Sequence, residues 1–265
     1  MEHLYLVDGS GFIFRAFHAV RPLTRPDGTP VNAVYGFTQM LLKLVEDSEA
    51  DHIAVIFDAA RKTFRNNIFP DYKANRPPPP DELVPQFSLV KEATQAFGLP
   101  AIEMPGYEAD DIIATYAKMG AETGAKVTIV SSDKDLMQLV GGRISMFDSM
   151  KNRTIRSEEV IERFGVVPEK VVEVQALAGD SVDNVPGVPG IGIKTAALLI
   201  NEYGDLETLL ECATEIKQKK RRENLIQFAE LARISRKLVK LKQDVPVQSP
   251  ISAFARKKLD RGKTL

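Results

Sequence analysis

Nine carboxylates of this 265-residue chain stand in short motifs, several of them directly after apolar runs. They are Asp8, Asp58, Glu108, Asp110, Asp111, Asp133, Asp135, Asp180 and Asp183. Because like charges repel, several carboxylates share one site only when cations neutralise them or when protons are taken up. Hard oxygen ligands suit Mg²⁺ or Mn²⁺, whereas zinc prefers nitrogen and sulfur. The pattern therefore raises the question of whether these acids converge on divalent cations.

Three of these acids follow runs that read as short buried strands. Residues 3–8, 52–58 and 126–133 are apolar and rich in β-branched residues, and helical patterns separate them. This alternation is typical of a parallel sheet with helices on both faces. Ligands of open parallel sheets bind outside the carboxyl ends of the strands. We therefore expect Asp8, Asp58 and Asp133 to meet at one edge of the sheet.

The helical patterns of the first part of the chain are marked by periodicity and by glycines. Apolar residues from Val34 to Val45 repeat at the helical period. Residues 84–97 and 109–123 are predicted helices that end at Gly98 and Gly124, which suit a left-handed position. Glu108 and Asp111 lie three residues apart at the start of the second helix, with Asp110 beside them, and so share a face.

The chain from about residue 157 is predicted to be entirely helical. Ser157 is a candidate cap for a helix ending at Gly165, and Pro168 can open a helix ending near Gly179. A turn-rich segment, residues 179–192, precedes a helix ending near Gly204. Asp205 is a candidate cap for the helix that follows, and residues 246–265 are predicted to form a frayed, irregular basic tail.

Each acidic motif also has a purely structural interpretation. An aspartate after a strand is often a turn former or helix cap. An acidic first turn, as in E-A-D-D, compensates the helix dipole. The conjunction of three acids at strand ends with two tight clusters favours a shared site over separate structural roles.

Two further segments suit a polyanionic partner. Residues 61–76 carry five bases against one acid, with Phe64, Phe69 and Tyr72 interleaved, a combination useful for single strands. Gly190 and Gly192 of the turn at 186–192 allow close backbone approach, and the helix start with Lys194 could hold a phosphate. The structural alternatives are a solvated loop and a glycine-rich connection. Residues 217–242 add ten bases, which form either a solvated helix face or a longer phosphate track.

Composition places the chain among ordinary globular proteins, at 44% apolar and 27% charged residues. The net charge is −1, but the charged residues are unevenly distributed. Without the nine acids, 27 acidic residues remain against 35 bases. We expect no signal peptide and no membrane span. The single cysteine, Cys212, excludes an internal disulfide and is typical of a cytoplasmic protein.

In order, the motifs V-D-G-S, F-D, Y-K-A-N-R-P, G-Y-E-A-D-D, S-S-D-K-D and G-D-S-V-D-N-V-P-G-V-P-G-I-G-I-K-T-A resemble the 5′-nuclease (flap endonuclease) family. The likeness covers roughly residues 3–245 and is strongest to N-terminal 5′→3′ exonuclease domains of bacterial DNA polymerase I. It implies a Rossmann-like (PIN-like) core over residues 1–165 with a helical arch at about 61–90. It also implies a helical, duplex-DNA-binding subdomain with a helix–turn–helix-type clamp over residues 166–245.

The resemblance also implies site residues and cofactors. The nine acids match the family's metal-site acids and imply two Mg²⁺ ions, with Mn²⁺ as a possible substitute. Positions that engage the substrate near the scissile phosphate are matched by Arg15, Tyr72, Lys73 and Arg76. A potassium-binding turn of the family is matched by the backbone carbonyls of Leu177, Ala178, Pro186, Val188 and Ile191.

The predicted activity is hydrolysis of phosphodiester bonds at the 5′ ends of strands in branched or nicked DNA, in replication and repair. Lys73 and Arg76 would balance transition-state charge, and Tyr72 would stack on an unpaired terminal base. The alternatives are a PIN-like ribonuclease and a catalytically silent DNA-junction clamp. We expect a monomer, either free-standing or part of a longer protein with a polymerase domain.

Overall fold

A six-stranded sheet forms the centre of the protein in this computed structural model, which describes residues 1–256. The strands are β1 (His3–Asp8), β2 (His52–Ile56), β3 (Ala101–Ile102), β4 (Lys126–Val130), β5 (Ile144–Asp148) and β6 (Arg153–Ile155). Their order is β3-β2-β1-β4-β5-β6, and every neighbouring pair is parallel except β5 and β6. The mostly parallel, Rossmann-like sheet is therefore confirmed, and β3, β5 and β6 are strands that the sequence did not predict.

Helices cover both faces of the sheet and form the C-terminal part of the described chain. The helices of the first 165 residues are α1 (Gly9–Ala19), α2 (Asn32–Asp47), α3 (Phe64–Ile68), α4 (Gln86–Ala96), α5 (Ala109–Glu122) and α6 (Ser157–Phe164). Those that follow are α7 (Val171–Ala178), α8 (Ile193–Tyr203), α9 (Leu206–Glu211), α10 (Lys219–Gln227) and α11 (Ala229–Val239). Short 3₁₀ turns lie at Asp135–Leu139, Pro168–Lys170, Ala213–Glu215 and Ile251–Phe254.

The alternation of side chains along β1 assigns its residues to two different apolar clusters. Leu4 and Leu6 belong to the cluster that includes residues of α5 and of the helices after residue 170. Val7 points to the other face and packs with α1, α2 and α4. Because successive residues of a strand point to opposite faces, a strand covered on both sides needs an almost unbroken apolar run. This requirement explains the composition of residues 4–7.

Local signals at helix ends are mostly confirmed. Gly98, Gly124 and Gly165 adopt left-handed backbone angles after their helices, with φ of 71°, 86° and 73°. The Asp205 side chain caps α9 by accepting from the N–H of Thr208 at 2.9 Å. The predicted cap at Ser157 was wrong: this residue is the first of α6, and a Glu159 carboxylate oxygen accepts from the N–H of Arg156 before it.

The predicted frayed tail needs correction for residues 246–256. Phe254 is buried, and its ring packs edge-on against that of Tyr116 with centroids 4.9 Å apart. The Tyr116 hydroxyl donates to the carbonyl of Ser249 at 3.0 Å. These contacts fix the segment against α5, because burial of an aromatic ring outweighs the absence of helical periodicity. Residues 257–265 of the predicted tail lie outside the described residues.

The arch segment (residues 61–90) folds as α3, a run of turns over residues 70–76, and the first turn and a half of α4. Thr63 caps α3, since its side-chain oxygen accepts from the N–H of Arg65 and its own N–H donates to Asn66. Over residues 1–256, none of the helices combines the length and apolar character that crossing a membrane requires.

Candidate active site

A cavity of about 170 Å³ opens at the carboxyl ends of β1, β2 and β4. Eight of the nine predicted acids line it, namely Asp8, Asp58, Glu108, Asp110, Asp133, Asp135, Asp180 and Asp183. We call this cavity the acidic pocket. Asp8 is the last residue of β1, Asp58 lies two residues after β2, and Asp133 lies three residues after β4. Parallel strands place these positions at one edge, so the predicted convergence is observed for these acids.

Backbone and hydroxyl groups orient the acids at the strand ends. The Asp8 carboxylate accepts from the N–H of Gly11 in α1 and from the Ser131 hydroxyl, both at 2.8 Å. The Asp58 carboxylate accepts from the N–H of Ala109 at 2.8 Å. Each carboxylate thus takes up an N–H at the start of a helix, a position that favours negative charge.

Asp8, Asp58, Asp110 and Asp133 form a set without protein counter-charges. In the described part of the chain, none of the four pairs with a lysine or arginine within 4.0 Å. Burial, followed by the neighbouring Asp58 and Asp133, raises the pKa of Asp8 to about 6. Burial, followed by Asp133 and Asp8, raises the pKa of Asp110 well above its usual value. Such an oxygen-only, negatively charged set fits a hard divalent cation.

The acids do not enclose a metal ion by themselves. Between residues 1 and 256, no three acidic, histidine or cysteine side chains are arranged as a ready-made metal cage.

Three of the other four acids of the pocket pair with protein cations, whereas the fourth, Asp135, accepts a hydrogen bond from the side-chain amide of Gln175. Lys73 Nζ lies 2.9 Å from Glu108 Oε2 and 3.7 Å from Asp183 Oδ2, and Arg76 also pairs with Asp183. Burial lowers the pKa of Lys73, but the carboxylates of Glu108 and Asp183 outweigh burial, so its pKa is raised overall. These carboxylates therefore favour the charged form of Lys73, and its role at the scissile phosphate stays a prediction.

Lys134 is a cation of this site that the sequence analysis did not single out. It lies between Asp133 and Asp135 in S-D-K-D and pairs with Asp180. Burial raises the pKa of Asp180, but the hydrogen bond and charge of Lys134, together with the N–H groups of Val182 and Asp183, outweigh burial and lower the pKa overall. Burial, followed by Asp133, raises the pKa of Asp135 to about 6. The lysine inside the acidic motif was the available signal, since it is the nearest base in sequence.

The structure does not place Asp111 in the pocket. Its carboxylate is fully buried and accepts two hydrogen bonds from the Arg65 guanidinium, at 2.6 and 2.8 Å. The prediction that all nine acids face one metal site is therefore corrected for Asp111. Arg65, whose side chain is also fully buried, was counted only as one base of the 61–76 segment.

The predicted stacking role of Tyr72 also needs correction. Tyr72 is 5% exposed, and its hydroxyl donates to Glu108 Oε2 at 3.2 Å. Its ring packs against Lys73, with Nζ 5.1 Å from the ring centroid. The aromatic side chain that lines the pocket and remains accessible is Phe14, at 41% exposed. Its position in the middle of α1, six residues after Asp8, was the only sequence signal.

Arg15 lies close to the strand-end acids but does not line the pocket. Its guanidinium donates to the hydroxyls of Ser132 at 2.9 Å and Ser149 at 3.3 Å. Ser132 immediately precedes Asp133, so Arg15 contributes positive charge at the rim of the site. Its predicted contact with substrate stays a prediction.

The glycine-rich turn at 186–192 lies outside the acidic pocket. Gly190 has φ of 78°, and Gly192 forms the N-cap of α8 without any side-chain cap. Lys194 is exposed in the first turn of that helix. Unsatisfied N–H groups at a helix start beside an exposed lysine can hold a phosphate.

The carbonyls predicted to bind potassium lie around the same turn. Those of Leu177 and Val188 accept hydrogen bonds within it, from the N–H groups of Val188 at 2.7 Å and Ile191 at 3.1 Å. Each carbonyl retains a second lone pair. Potassium binding stays a prediction.

Comparison with known proteins assigns a family to this architecture. The family model described as "5'-3' exonuclease, N-terminal resolvase-like domain" matches residues 3–165. The family model described as "5'-3' exonuclease, C-terminal SAM fold" matches residues 166–262. The chain belongs to the 5′-3′ exonuclease family. Its acidic pocket lies in the first of these regions and receives Asp180 and Asp183 from the second.

Relatives within the 5′-3′ exonuclease family differ in length. A DNA polymerase I from Rhizobium leguminosarum is 60% identical over 96% of this chain, which spans 26% of that protein. A 5'-3' exonuclease from Aquifex aeolicus is 42% identical over 94% of this chain, which spans 84% of that protein. The chain thus spans about a quarter of one relative and most of another.

Solved structures of bacteriophage T5 proteins share the fold. A T5 D15 flap endonuclease, described as a pseudo-enzyme-product complex with DNA and metal ions, is 25% identical with a TM-score of 0.75. The match covers 90% of this chain and 89% of that one. T5 5'-exonuclease with bound divalent metal ions (zinc) is 26% identical, also with a TM-score of 0.75 and the same coverage.

Proposed function

We propose that this protein is a Mg²⁺-dependent 5′→3′ exonuclease and 5′-flap endonuclease acting on branched or nicked DNA in replication and repair. The observation that carries the proposal is the convergence of eight carboxylates on one pocket, flanked by Lys73 and Arg76. Family membership supports nuclease chemistry, and the solved relatives with DNA and divalent metal ions support the substrate and cofactor classes.

The acids of the pocket would hold two Mg²⁺ ions, with Mn²⁺ as a substitute. Asp8, Asp58, Asp110 and Asp133 would serve one part of the site, and Asp135, Asp180 and Asp183 the other. Bound ions would supply Lewis-acid activation of water and of the scissile phosphate. Glu108 lies beside Lys73, with Oε2 2.9 Å from Nζ.

Lys73 and Arg76 would bind the scissile phosphate and neutralise charge that develops on it. In this structure they pair with Glu108 and Asp183, so a substrate phosphate and cations would replace these partners. The exchange keeps the buried charges compensated before and after binding. Phe14, which is exposed at the pocket, would stack on the base of the unpaired 5′ nucleotide.

The turn at 186–192 would hold the duplex part of the substrate. N–H groups at the start of α8 and the Lys194 ammonium would contact phosphates without reading sequence. A K⁺ ion held by the carbonyls of Leu177, Ala178, Pro186, Val188 and Ile191 would stabilise the turn next to the phosphate.

We also propose that the protein is a monomer and that it is cytoplasmic; the single cysteine, Cys212, supports the second of these proposals. The relatives include a chain named 5'-3' exonuclease and longer chains named DNA polymerase I. The same pocket would serve either a free-standing enzyme or the exonuclease part of a longer polymerase.

The test is a product-length assay on a 5′-labelled double-flap DNA with and without Mg²⁺. Wild-type protein should release short 5′-phosphorylated products only with the metal. Asp110→Asn and Asp133→Asn should abolish cutting while leaving DNA binding within about threefold, since both groups lie in the set without protein cations. Asp47→Asn, at the exposed end of α2, is the matched control and should cut normally.

Three outcomes would overturn the proposal. Undiminished Mg²⁺-dependent cutting by both Asp110→Asn and Asp133→Asn would contradict the assignment of the acidic pocket as the active site. Faster cutting of a matched RNA flap would favour the PIN-like ribonuclease, and tight binding of the DNA flap without cutting would favour a junction clamp.

A further inference from the structure

Arg65 and Asp111 form a fully buried ion pair directly behind the acidic pocket. Both guanidinium nitrogens Nη1 and Nη2 donate to the Asp111 carboxylate, at 2.6 and 2.8 Å. Arg65 reaches the lining of the pocket, whereas Asp111 is not among the residues that line it. A buried bidentate pair of this kind is rigid, because each partner fixes the plane of the other.

This pair joins three parts of the chain that are distant in sequence. Arg65 belongs to α3, at the start of the segment that carries Lys73. Its Nε donates to the carbonyl of Leu238 in α11 at 2.7 Å. Asp111 belongs to the first turn of α5, and its Oδ1 accepts from the N–H of Lys242 at 2.9 Å.

The pair also contacts a group that lines the pocket. Asp111 Oδ2 accepts from the N–H of Glu108 at 3.1 Å and thereby fixes the backbone at the start of α5. Arg65 Nη1 lies 3.6 Å from Glu108 Oε2, the same oxygen that Lys73 approaches. Asp110, the residue next to Asp111, faces the pocket instead.

We propose that Arg65 and Asp111 are positioning residues that set the placement of Glu108 and Asp110 for catalysis, and that Asp111 is not a metal ligand. The inference deepens the proposed function and rests on it for the catalytic readout. The pair would transmit any displacement of α11 and residues 240–242 to the start of α5, because all three parts hydrogen-bond to the same two side chains.

The test compares Arg65→Met, Asp111→Asn, the double variant and Asp110→Asn with wild type. Binding of Mn²⁺ alone is measured by electron paramagnetic resonance, folding by thermal unfolding, and chemistry by single-turnover cleavage of the double-flap DNA. Each single change at the pair strands a buried charge and lowers the unfolding temperature. The double variant removes both charges and keeps an acceptor at position 111, so it should recover much of that loss.

The expected results distinguish a positioning role of Arg65 and Asp111 from metal ligation by Asp111 and from a purely structural role of the pair. The double variant should bind as many Mn²⁺ ions as wild type, whereas Asp110→Asn should bind them more weakly. The cleavage rate of the double variant should stay about ten- to a hundredfold below that of wild type, with DNA affinity unchanged. Small displacements of reacting groups have effects of this size. Loss of Mn²⁺ binding in the double variant to the extent seen in Asp110→Asn would make Asp111 a ligand, and a wild-type rate would make the pair purely structural.

Arg65→Lys keeps the proposal testable if the double variant does not fold. It retains the buried positive charge but loses the two-point contact. We expect normal Mn²⁺ binding and a rate about tenfold lower, and an unchanged rate would overturn the positioning role. Should wild-type protein fail to cut any DNA flap, the proposed function fails, while the Mn²⁺ comparison still decides whether Asp111 is a ligand.

Discussion

The backbone N–H of Lys73 donates a 2.9 Å hydrogen bond to the backbone carbonyl of Asp183. This contact ties the turns after α3 to the acidic loop between α7 and α8. Two side chains reinforce it: Asn184 donates to the carbonyl of Asp71 at 2.7 Å, and Asn75 donates to that of Ser181 at 2.8 Å. A cation and an acid from segments that are distant in sequence are therefore held in one fixed arrangement.

Replacing Lys73 with alanine tests the role of this cation in the chemical step. We expect the single-turnover cleavage rate of the double-flap DNA to fall by about 10²–10³-fold, the loss typical for one preorganised charge donor. DNA affinity, measured by fluorescence anisotropy, should change much less. Lys43→Ala, on the exposed face of α2, is the matched control. If Lys73→Ala lowered DNA affinity but left the cleavage rate unchanged, Lys73 would not stabilise the transition state.

Phe14→Ala tests whether the exposed aromatic at the pocket stacks on a base. Stacking contributes about 1–3 kcal/mol per base, so affinity for a flap with an unpaired 5′ nucleotide should weaken about ten- to a hundredfold. A substrate with an abasic 5′ position should show little difference between variant and wild type. Ile161→Ala is the control, since Ile161 is 43% exposed in α6 and Phe14 is 41% exposed. Equal losses on both substrates would contradict stacking.

The carboxylate of Asp51 should contribute a pH-dependent stability at the opposite end of the sheet. Partial burial raises its pKa, but the N–H groups of Glu2 and His3 and the side chain of His52 outweigh burial and lower the pKa to about 2. A depressed pKa means stability that is present above the ordinary value near 4 and is lost as pH falls toward 2.

Thermal unfolding of wild type and Asp51→Asn from pH 7 to pH 3 measures this contribution. The wild type should unfold at a higher temperature by a constant margin down to about pH 4, and the margin should shrink below it. Because the Asp51 side chain is 42% exposed, solvent screening limits the contribution to about 1 kcal/mol or less. Asp47→Asn should show no such pH dependence, and a margin that grew on acidification would contradict the assignment.

Gly179→Ala tests the close approach of two backbones beside Asp180. Gly179 has φ of 67°, and an added Cβ would lie 2.5 Å from the carbonyl oxygen of Val185. The variant should lose about 3 kcal/mol or more of unfolding free energy, measured by urea denaturation, and should cut DNA more slowly because Asp180 moves.

Gly204→Ala provides the matched comparison for this loss. Gly204 has φ of 94°, and an added Cβ would meet no atom within 4 Å. Gly204→Ala should therefore lose only the unfolding free energy that the unfavourable backbone angle costs an alanine, about 1–2 kcal/mol. Equal losses at both glycines would show that backbone conformation, and not the approach of Val185, determines the effect.

Much of the framework follows from local sequence. The runs ending at Asp8, Asp58 and Asp133 are apolar enough to identify buried strands, and parallel pairing then places their ends together. The strands β3 and β6 escaped prediction because runs of two and three residues carry little periodicity, and β5 escaped it because Ser145 interrupts its apolar residues. The packing of Phe254 on Tyr116 escaped it because contacts between distant segments leave no local pattern.

The sequence by itself determined which residues could carry charge to the site, and the tertiary structure decided which of them face it. Asp110 and Asp111 are adjacent and chemically identical, yet one lines the pocket and the other pairs with Arg65. Neighbouring helix positions point about 100° apart, so only one can face a given cavity. Which one does so depends on where α3 and residues 238–242 pack, and that long-range packing is a property of the folded chain.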